Sequence, residues 1–207
     1  GAVYIFRHHP ELLPAPPWVQ EQKLTTTDGA NTFGVSVSAS GDWVLVGASY
    51  DDCAAGLDCG AAYFFRYHAE LPLGSRWIQE QKLIASDAAS LDYFGVVVSI
   101  SNDVAIVGAE QDECTVGSDC GAAYVFGRNG DMWAEERKLV SPEPGASDRF
   151  GISVSVSGNI GLVGSLFTDC PSGEDCGAAY LFGLDGPDCN CNGVADSCDI
   201  ADGTSLD

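Results

Sequence analysis

Residues 33–65 read FGVSVSASGDWVLVGASYDDCAAGLDCGAAYFF, and the same pattern recurs twice further along the chain. The later copies begin at Phe94-Gly95 and Phe150-Gly151, which gives a period close to 60 residues. Each copy contains an alternating β-branched run, Val-Gly-Ala or Val-Gly-Ser, an acidic loop between two cysteines, and Gly-Ala-Ala-Tyr. A period of this size indicates an array in which each repeat buries its apolar face only against its neighbours.

Aligning the copies predicts four antiparallel strands per repeat, named A to D along the chain. In the first complete copy, strand A covers residues 33–38 and leads through Ser40-Gly41-Asp42 to strand B at residues 43–48. Strand C follows the cysteine loop at residues 61–65, and strand D is the alternating segment 77–83. This alternation has the period of a strand, and turn residues flank each run. The segment Trp-x5-Leu of strand D recurs at residues 18–24 and 133–139.

Composition limits the partners of the chain. Its 207 residues include 25 glycines, and 30 acidic against 9 basic side chains give a net charge of −21. Such a charge repels nucleic acid and anionic membranes and favours cations such as calcium. A surface that merely keeps the protein soluble is the alternative explanation of the charge. The chain has no apolar run long enough to cross a bilayer, so we expect no membrane insertion.

The spacing of the cysteines predicts local disulfides. One C-x5-C pair lies at the same position in each repeat: Cys53 and Cys59, Cys114 and Cys120, Cys170 and Cys176. Zinc is the alternative, but no histidine lies in register with these pairs. Disulfides indicate an oxidising compartment, so the predicted location is extracellular, either secreted or at the cell surface. The chain opens at Gly1 without an initiator methionine, from which we expect a processed or partial product of a secreted precursor.

These motifs resemble the FG-GAP repeats of integrin α-subunit propellers, and more closely the bacterial variety. The resemblance covers residues 1 to about 183 and rests on Phe-Gly-x-Ser-Val, Val-Gly-Ala, Gly-Ala-x-Tyr-x-Phe and Trp-x5-Leu in a fixed order. It implies about three consecutive four-stranded blades of an incomplete β-propeller, with repeat units near 1–59, 60–120 and 121–183. The family often carries a calcium loop between strands A and B. In this chain the turn at residues 38–42 lacks the full set of oxygen ligands.

The C-terminal tail, residues 184–207, has a different character. Its twelve-residue segment 188–199 places oxygen ligands at loop positions 1, 3, 5, 9 and 12, with Gly193 at position 6. This is the spacing of an EF-hand loop, in which position 7 offers its carbonyl oxygen. The predicted calcium ligands are Asp188, Asn190, Asn192, Val194, Asp196 and Asp199. An acidic turn without metal is the alternative, and the aspartate at position 12 is similar to dockerin loops.

Cys189 and Cys198 are predicted to pair across this loop, which leaves Cys191 free or bonded to another chain.

Acidic residues also gather beside the repeated cysteines. They are Asp51, Asp52, Asp58, Asp112, Glu113, Asp119, Asp169, Glu174 and Asp175. They either bind a cation at one end of each blade or are solvated loop acids, and the solvated reading is preferred. In a second acidic column, Asn31, Asp92 and Asp148 precede each Phe-Gly pair and are predicted to cap turns. No serine lies in a nucleophile turn and histidine is scarce, so we predict no enzymatic activity.

The order of the strands suggests a function. The chain supplies strands C and D, then two sets of A to D, then A, B and C, which makes thirteen. Unpaired sheet edges are seldom left bare, and residues 1–24 match the strand that the last sheet lacks. We therefore predict a non-enzymatic structural protein that joins copies of itself head to tail, as a fibre or a ring. The alternative is a calcium-dependent adhesion module that binds glycans or cell-surface proteins.

Overall fold

The computed structural model describes residues 1–12, 17–171 and 173–184. Apart from a single 3-10 turn at Pro10–Leu12, their regular structure is entirely β, which confirms the predicted all-β fold. The thirteen strands are β1 (Val3–His8), β2 (Trp18–Leu24), β3 (Ser36–Ser40), β4 (Trp43–Ala48), β5 (Ala61–Tyr67), β6 (Trp77–Leu83), β7 (Val97–Ser101), β8 (Val104–Ala109), β9 (Ala122–Asn129), β10 (Met132–Leu139), β11 (Phe150–Ser157), β12 (Ile160–Ser165) and β13 (Ala178–Gly183).

The strands form four antiparallel sheets, numbered here along the chain. The first sheet is the hairpin β1-β2, the second is β3-β4-β5-β6, the third is β7-β8-β9-β10, and the fourth is β11-β12-β13. The first sheet therefore corresponds to strands C and D, and the fourth to strands A, B and C, as predicted. Each C–D pair contains a register shift at the same place, for example between Phe64 and Phe65 in the second sheet.

Strand A begins later than predicted in the second and third sheets. The Phe-Gly pairs at residues 33–34 and 94–95 precede strands β3 and β7 instead of belonging to them. The φ values of Gly34 and Gly95 are 96° and 90°, in the left-handed region, but Gly151 also has a φ of 90° and lies within β11. The difference lies in the pairing: Phe150 pairs with Ser165 of strand B, whereas Phe33 and Phe94 have no partner in the ladders of their sheets and sit in the connections between sheets.

The sheets stack face to face, and an apolar core fills each of the three junctions. Phe33, Phe94 and Phe150 lie in these cores and are 3%, 0% and 0% exposed, so they are equivalent buried residues. Each ring contacts the tyrosine of strand C in its own sheet, as Phe94 does with Tyr124 at 5.4 Å between ring centroids. Burying one such ring contributes about 2 to 3 kcal/mol, so the repeated phenylalanines hold the stack together.

A glycine at one repeat position lets neighbouring backbones touch. A Cβ atom at Gly60 would lie 2.0 Å from the carbonyl oxygen of Phe94, and one at Gly121 would lie 2.0 Å from that of Phe150. Any side chain at these positions would force the sheets apart. The glycines of the first two Gly-Ala-Ala-Tyr motifs are therefore required by the junctions that follow them.

Polar side chains also cross the junctions at the inner and outer edges of the sheets. On the inner edge, the Ser38 hydroxyl accepts a hydrogen bond from the Ile100 amide, and the Ser99 hydroxyl accepts one from Val156. On the outer edge, the side chain of Gln81 bonds both the amide and the carbonyl of Trp133. These contacts fix the lateral position of each sheet against the next.

Candidate functional site

The connections from strand B to C and from strand D to A lie at the same end of every sheet, which we call the loop end. The B–C connections are the cysteine loops, and the structure contains a disulfide in each. The bonds join Cys53 to Cys59, Cys114 to Cys120, and Cys170 to Cys176.

The first two disulfide loops each hydrogen-bond to the Phe-Gly segment of the following repeat. The amide of Phe94 donates to the carbonyl of Cys59 at 3.0 Å, and the amide of Tyr93 donates to that of Asp58 at 3.2 Å. In the next junction, Phe150 donates to Cys120 at 2.9 Å. These loops therefore hold successive sheets together through backbone hydrogen bonds. Their position in the sequence did not reveal this role.

Four side chains form a polar cluster in the second sheet, and one of them belongs to its disulfide loop. The ammonium of Lys82 lies 2.8 Å from Asp28 and 2.7 Å from Asp51. The hydroxyl of Tyr63 lies 3.0 and 2.9 Å from the same two carboxylates, and the ammonium sits 5.3 Å from the centre of the tyrosine ring. One lysine thus bridges a carboxylate of the D–A connection and a carboxylate of the cysteine loop.

The third sheet repeats this arrangement. The ammonium of Lys138 lies 2.7 Å from Asp87 and 2.8 Å from Asp112, and the hydroxyl of Tyr124 lies 2.7 Å from both carboxylates. We call these two sets of four residues the complete clusters. They occur in strand D and in the loops at identical positions of two repeats, so the sequence defines them as part of the repeat.

Burial and charge oppose one another within the clusters. Burial alone would raise the pKa of Asp28, but hydrogen bonds from Lys82 and Tyr63 outweigh it and hold the pKa below its ordinary value. Burial would likewise lower the pKa of Lys82, yet its bonds to Asp28 and Asp51 raise it. The lysine therefore stays charged at neutral pH, and the cluster is a partly buried ion network.

The fourth sheet has only part of a cluster. Tyr180 occupies the tyrosine position, while Thr168 and Glu143 stand where the other sheets have aspartates. The hydroxyl of Tyr180 is 3.3 Å from that of Ser141, and Glu143 is exposed. The lysine position belongs to a strand D, which the described part of this sheet does not contain. We call Glu143, Thr168 and Tyr180 the incomplete cluster.

The first sheet has the lysine and the tyrosine of such a cluster but no carboxylate beside them among the described residues. Lys23 stands opposite Tyr4 in the β1-β2 ladder, and its ammonium lies 5.8 Å from the tyrosine ring. The side chain is exposed, and no carboxylate of the described residues forms a salt bridge with it.

Two pairs of the predicted acidic residues have identified roles in the structure. Asp51 and Asp112 are 8% and 5% exposed and belong to the complete clusters, so the reading as solvated loop acids was wrong for them. Asp52 and Asp169 accept hydrogen bonds from the amides of Asp58 and Asp175 across their own loops. Among the residues that the structure describes, no three His, Cys, Asp or Glu side chains converge into a metal-binding group.

In the column before the Phe-Gly pairs, Asp92 and Asp148 cap turns, as predicted, whereas the amide of Asn31 donates to Asp51. Asp92 accepts a hydrogen bond from the amide of Ala89 at 2.6 Å, and Asp148 accepts one from Gly145 at 2.8 Å. Burial raises the pKa of Asp92 to about 6, and the nearby charge of Asp112 adds to this effect.

Both ends of the stack expose apolar faces. On the first sheet, Tyr4, Phe6 and Trp18 are 49%, 55% and 60% exposed. Their counterparts in the second sheet, Tyr63, Phe65 and Trp77, are buried against the first. On the fourth sheet, the exposed Leu162 and Leu181 match residues that are buried in the second and third sheets, and the exposed Ile160 matches the buried Trp43 of the second sheet. Each outer face therefore has the composition of an internal junction.

The predicted calcium loop and the predicted bond between Cys189 and Cys198 lie outside the described residues.

A comparison with protein-family models identifies the repeats. The model of the FG-GAP repeat matches residues 18–65, 77–126 and 133–182. The chain belongs to the FG-GAP repeat family. Each matched segment starts at strand D of one sheet and ends in strand C of the next, so every FG-GAP unit itself spans a junction. No curated protein matches the chain significantly.

FG-GAP repeats and disulfides are typical of extracellular proteins, and three stacked repeats fit an incomplete β-propeller. In the described residues, no helix has the length and apolar character that would be needed to cross a membrane.

Proposed function

We propose that this chain is a non-enzymatic extracellular structural module that joins copies of itself head to tail by sharing strand D. The observation that carries the proposal is the pairing of deficiencies at the two ends of the stack. In the described residues, the fourth sheet stops at β13, while the first sheet is a hairpin that ends in an intact strand D. FG-GAP repeats are typically non-enzymatic, which agrees with this role.

The sequence of β2 supports its use as a donated strand. Residues 18–24 read WVQEQKL and residues 77–83 read WIQEQKL, so the two segments differ only at Val19 and Ile78. In the second sheet the matching strand, β6, pairs with β5 from Ala62 to Tyr67. Strand β13 has the same Ala-Ala-Tyr-x-Phe sequence as β5, and its outer edge has no neighbouring strand among the described residues. An edge of this kind is a template for a further strand.

A cavity at the other end supports the same assembly. It has a volume of about 570 Å³ and is lined by Tyr4, Phe6 and Trp18 of the first sheet and by Val44 and Trp77 of the second, among others. In the junction between the second and third sheets, strands A and B of the preceding sheet cover the corresponding surface, since β3 and β4 lie against β7. Strands β11 and β12 of a second copy would fill this space. Because both copies bring a strand C, either β1 or β13 is surplus and gives way.

Calcium is the proposed cofactor, held by the EF-hand-like residues of the C-terminal tail. The spacing of that loop and the net charge of −21 support this part of the proposal. The exposed acids of the loop end, such as Asp52 and Glu174, favour a second candidate function. In that function, the loop end would use calcium to hold a glycan or a cell-surface protein.

Deletion of residues 1–24 tests the assembly. We expect the full chain to form species larger than a monomer in sedimentation velocity, and the truncated chain to give a monomer or disordered aggregate. Removing residues 185–207 instead serves as the control when both chains are compared without calcium, because it leaves the thirteen described strands in place. A synthetic peptide of residues 17–24 should also block assembly of the full chain by occupying the edge of β13, whereas a scrambled peptide should not. Normal assembly of the truncated chain, or a full chain that stays monomeric with and without calcium, would contradict the proposal.

A further inference from the structure

The two ends of the stack carry the two halves of one polar cluster. Every complete cluster contains a tyrosine of strand C, a lysine of strand D and acceptors from two loops. At the end of the stack, Glu143, Thr168 and Tyr180 lack the lysine, while at the beginning Lys23 lacks the carboxylates. The charges of the two halves are opposite, and both are exposed at Glu143 and Lys23.

We infer that Lys23 of one copy completes the incomplete cluster of a second copy and binds Glu143 there. This inference rests on the proposed strand sharing and names the ion pair that fixes its register. The ammonium would lie between the carboxylate of Glu143 and the hydroxyls of Thr168 and Tyr180, as Lys82 lies among Asp28, Asp51 and Tyr63.

The ladders place the lysine correctly. In all three C–D pairs the lysine stands directly opposite the tyrosine: Lys23 opposite Tyr4, Lys82 opposite Tyr63, and Lys138 opposite Tyr124. Tyr4 and Tyr180 occupy the same position of strand C. Lys23 therefore reaches the same place whether the shared sheet keeps β13 or the incoming β1.

The acceptors also stand at the repeat positions. Glu143 follows Leu139 by four residues, just as Asp28 follows Leu24 and Asp87 follows Leu83. Thr168 precedes Cys170 by two residues, as Asp51 precedes Cys53. The junction between copies thus has one carboxylate where internal junctions have two, and Glu143 is its essential partner.

This pair would determine the register of the donated strand. Successive residues of a strand point to opposite faces of the sheet. A slip of one residue would therefore turn Lys23 away from Glu143 and place Trp18 on the wrong face of the shared sheet. An ion pair at a single fixed position adds specificity to an edge whose backbone hydrogen bonds would accept many strands.

A charge exchange between two variants tests the inference. Lys23→Glu should weaken assembly at least about tenfold, and Glu143→Lys should do the same, because each places like charges together in the shared sheet. A mixture of the two variants should assemble like the wild type. In an alternating complex, one contact pairs the native Lys23 with the native Glu143, and the other pairs the two exchanged residues.

The control is Glu113→Lys, which changes the charge equally at an exposed position of another loop. Sedimentation velocity measures assembly, and circular dichroism establishes that each variant keeps the wild-type sheet content. If the wild type assembles and either single variant assembles equally well, the ion pair is refuted while strand sharing stands. If both variants fail and their mixture also fails, the inference is likewise overturned. If the wild type itself does not assemble, the proposed function falls together with it.

Discussion

At the scale of single residues, burial separates carboxylates that the sequence makes look alike. Asp51 and Asp52 are adjacent, yet the first is buried beside Lys82 and the second binds an amide in its own loop. The signal that could have found the complete clusters was present in the repeats. An aspartate follows the leucine of strand D by four residues at Asp28 and Asp87, and a lysine precedes that leucine. Assigning the aspartate and the lysine to one cluster required knowing which loops lie side by side in the fold.

Asp92 gives a prediction about pH at this scale. Its folded pKa of about 6 lies above the ordinary value near 4, so the folded state binds a proton more tightly than the unfolded state. Its contribution to stability is therefore complete at low pH and is lost as the pH rises from about 4 to about 6. Asp92→Asn, whose side-chain oxygen can still accept from Ala89, should be more stable than wild type at pH 7.5 by on the order of 2 kcal/mol.

Urea unfolding at pH 4.5 and pH 7.5 measures this effect, and the difference between variant and wild type should shrink at the lower pH. Glu113→Gln, at an exposed carboxylate, is the matched control and should show no such change. A variant that is less stable than wild type at pH 7.5 would show that the charged form of Asp92 stabilises the fold.

At the scale of elements, the sequence predicted all thirteen strands because their apolar alternation and turn residues agree in every copy. Its error concerned the start of strand A in the second and third sheets, where Phe33 and Phe94 lie outside the ladder with strand B. Such a feature depends on the neighbouring sheet, since Phe94 bonds the carbonyl of Cys59. Contacts of this kind between repeats are invisible in a pattern read one repeat at a time.

The disulfide loops give a prediction at the element scale. Replacing Cys114 and Cys120 by serine should lower the free energy of unfolding by roughly 2 kcal/mol, because a short loop is no longer closed in the unfolded chain. It should also speed hydrogen exchange at the amide of Phe150, whose acceptor is the carbonyl of Cys120. Mass spectrometry of the exchanged protein measures the second effect.

Replacing Cys170 and Cys176 by serine is the matched control for the loss of the Cys114–Cys120 bond. That loop has the same length, but no further sheet follows it among the described residues. The control should lose similar stability without changing exchange at Phe94 or Phe150. If exchange at Phe150 is the same in both variants, the loop is a local staple and does not hold the next sheet.

At the scale of the whole molecule, apolar faces and net charge act against each other. The outer faces of the first and fourth sheets favour contact between copies through residues such as Trp18 and Leu181. A charge of −21 on each copy opposes that contact, most strongly at low ionic strength, where charges interact over about 30 Å. Assembly should therefore strengthen as salt is added. If the C-terminal loop binds calcium, calcium should strengthen assembly more than sodium does at equal ionic strength.

The number of sheets predicts the size of the assembly. Each copy holds two four-stranded sheets and shares one further sheet at its ends, so two copies joined at both ends make six sheets. Propellers close with about four to eight blades, and a heterologous contact that closes gives a ring. We therefore expect a discrete species of twice the chain mass of 21.6 kDa at physiological salt, measured by light scattering after size exclusion. A continuous series of larger masses would instead mean that the contact does not close, and that the same shared strands build a fibre.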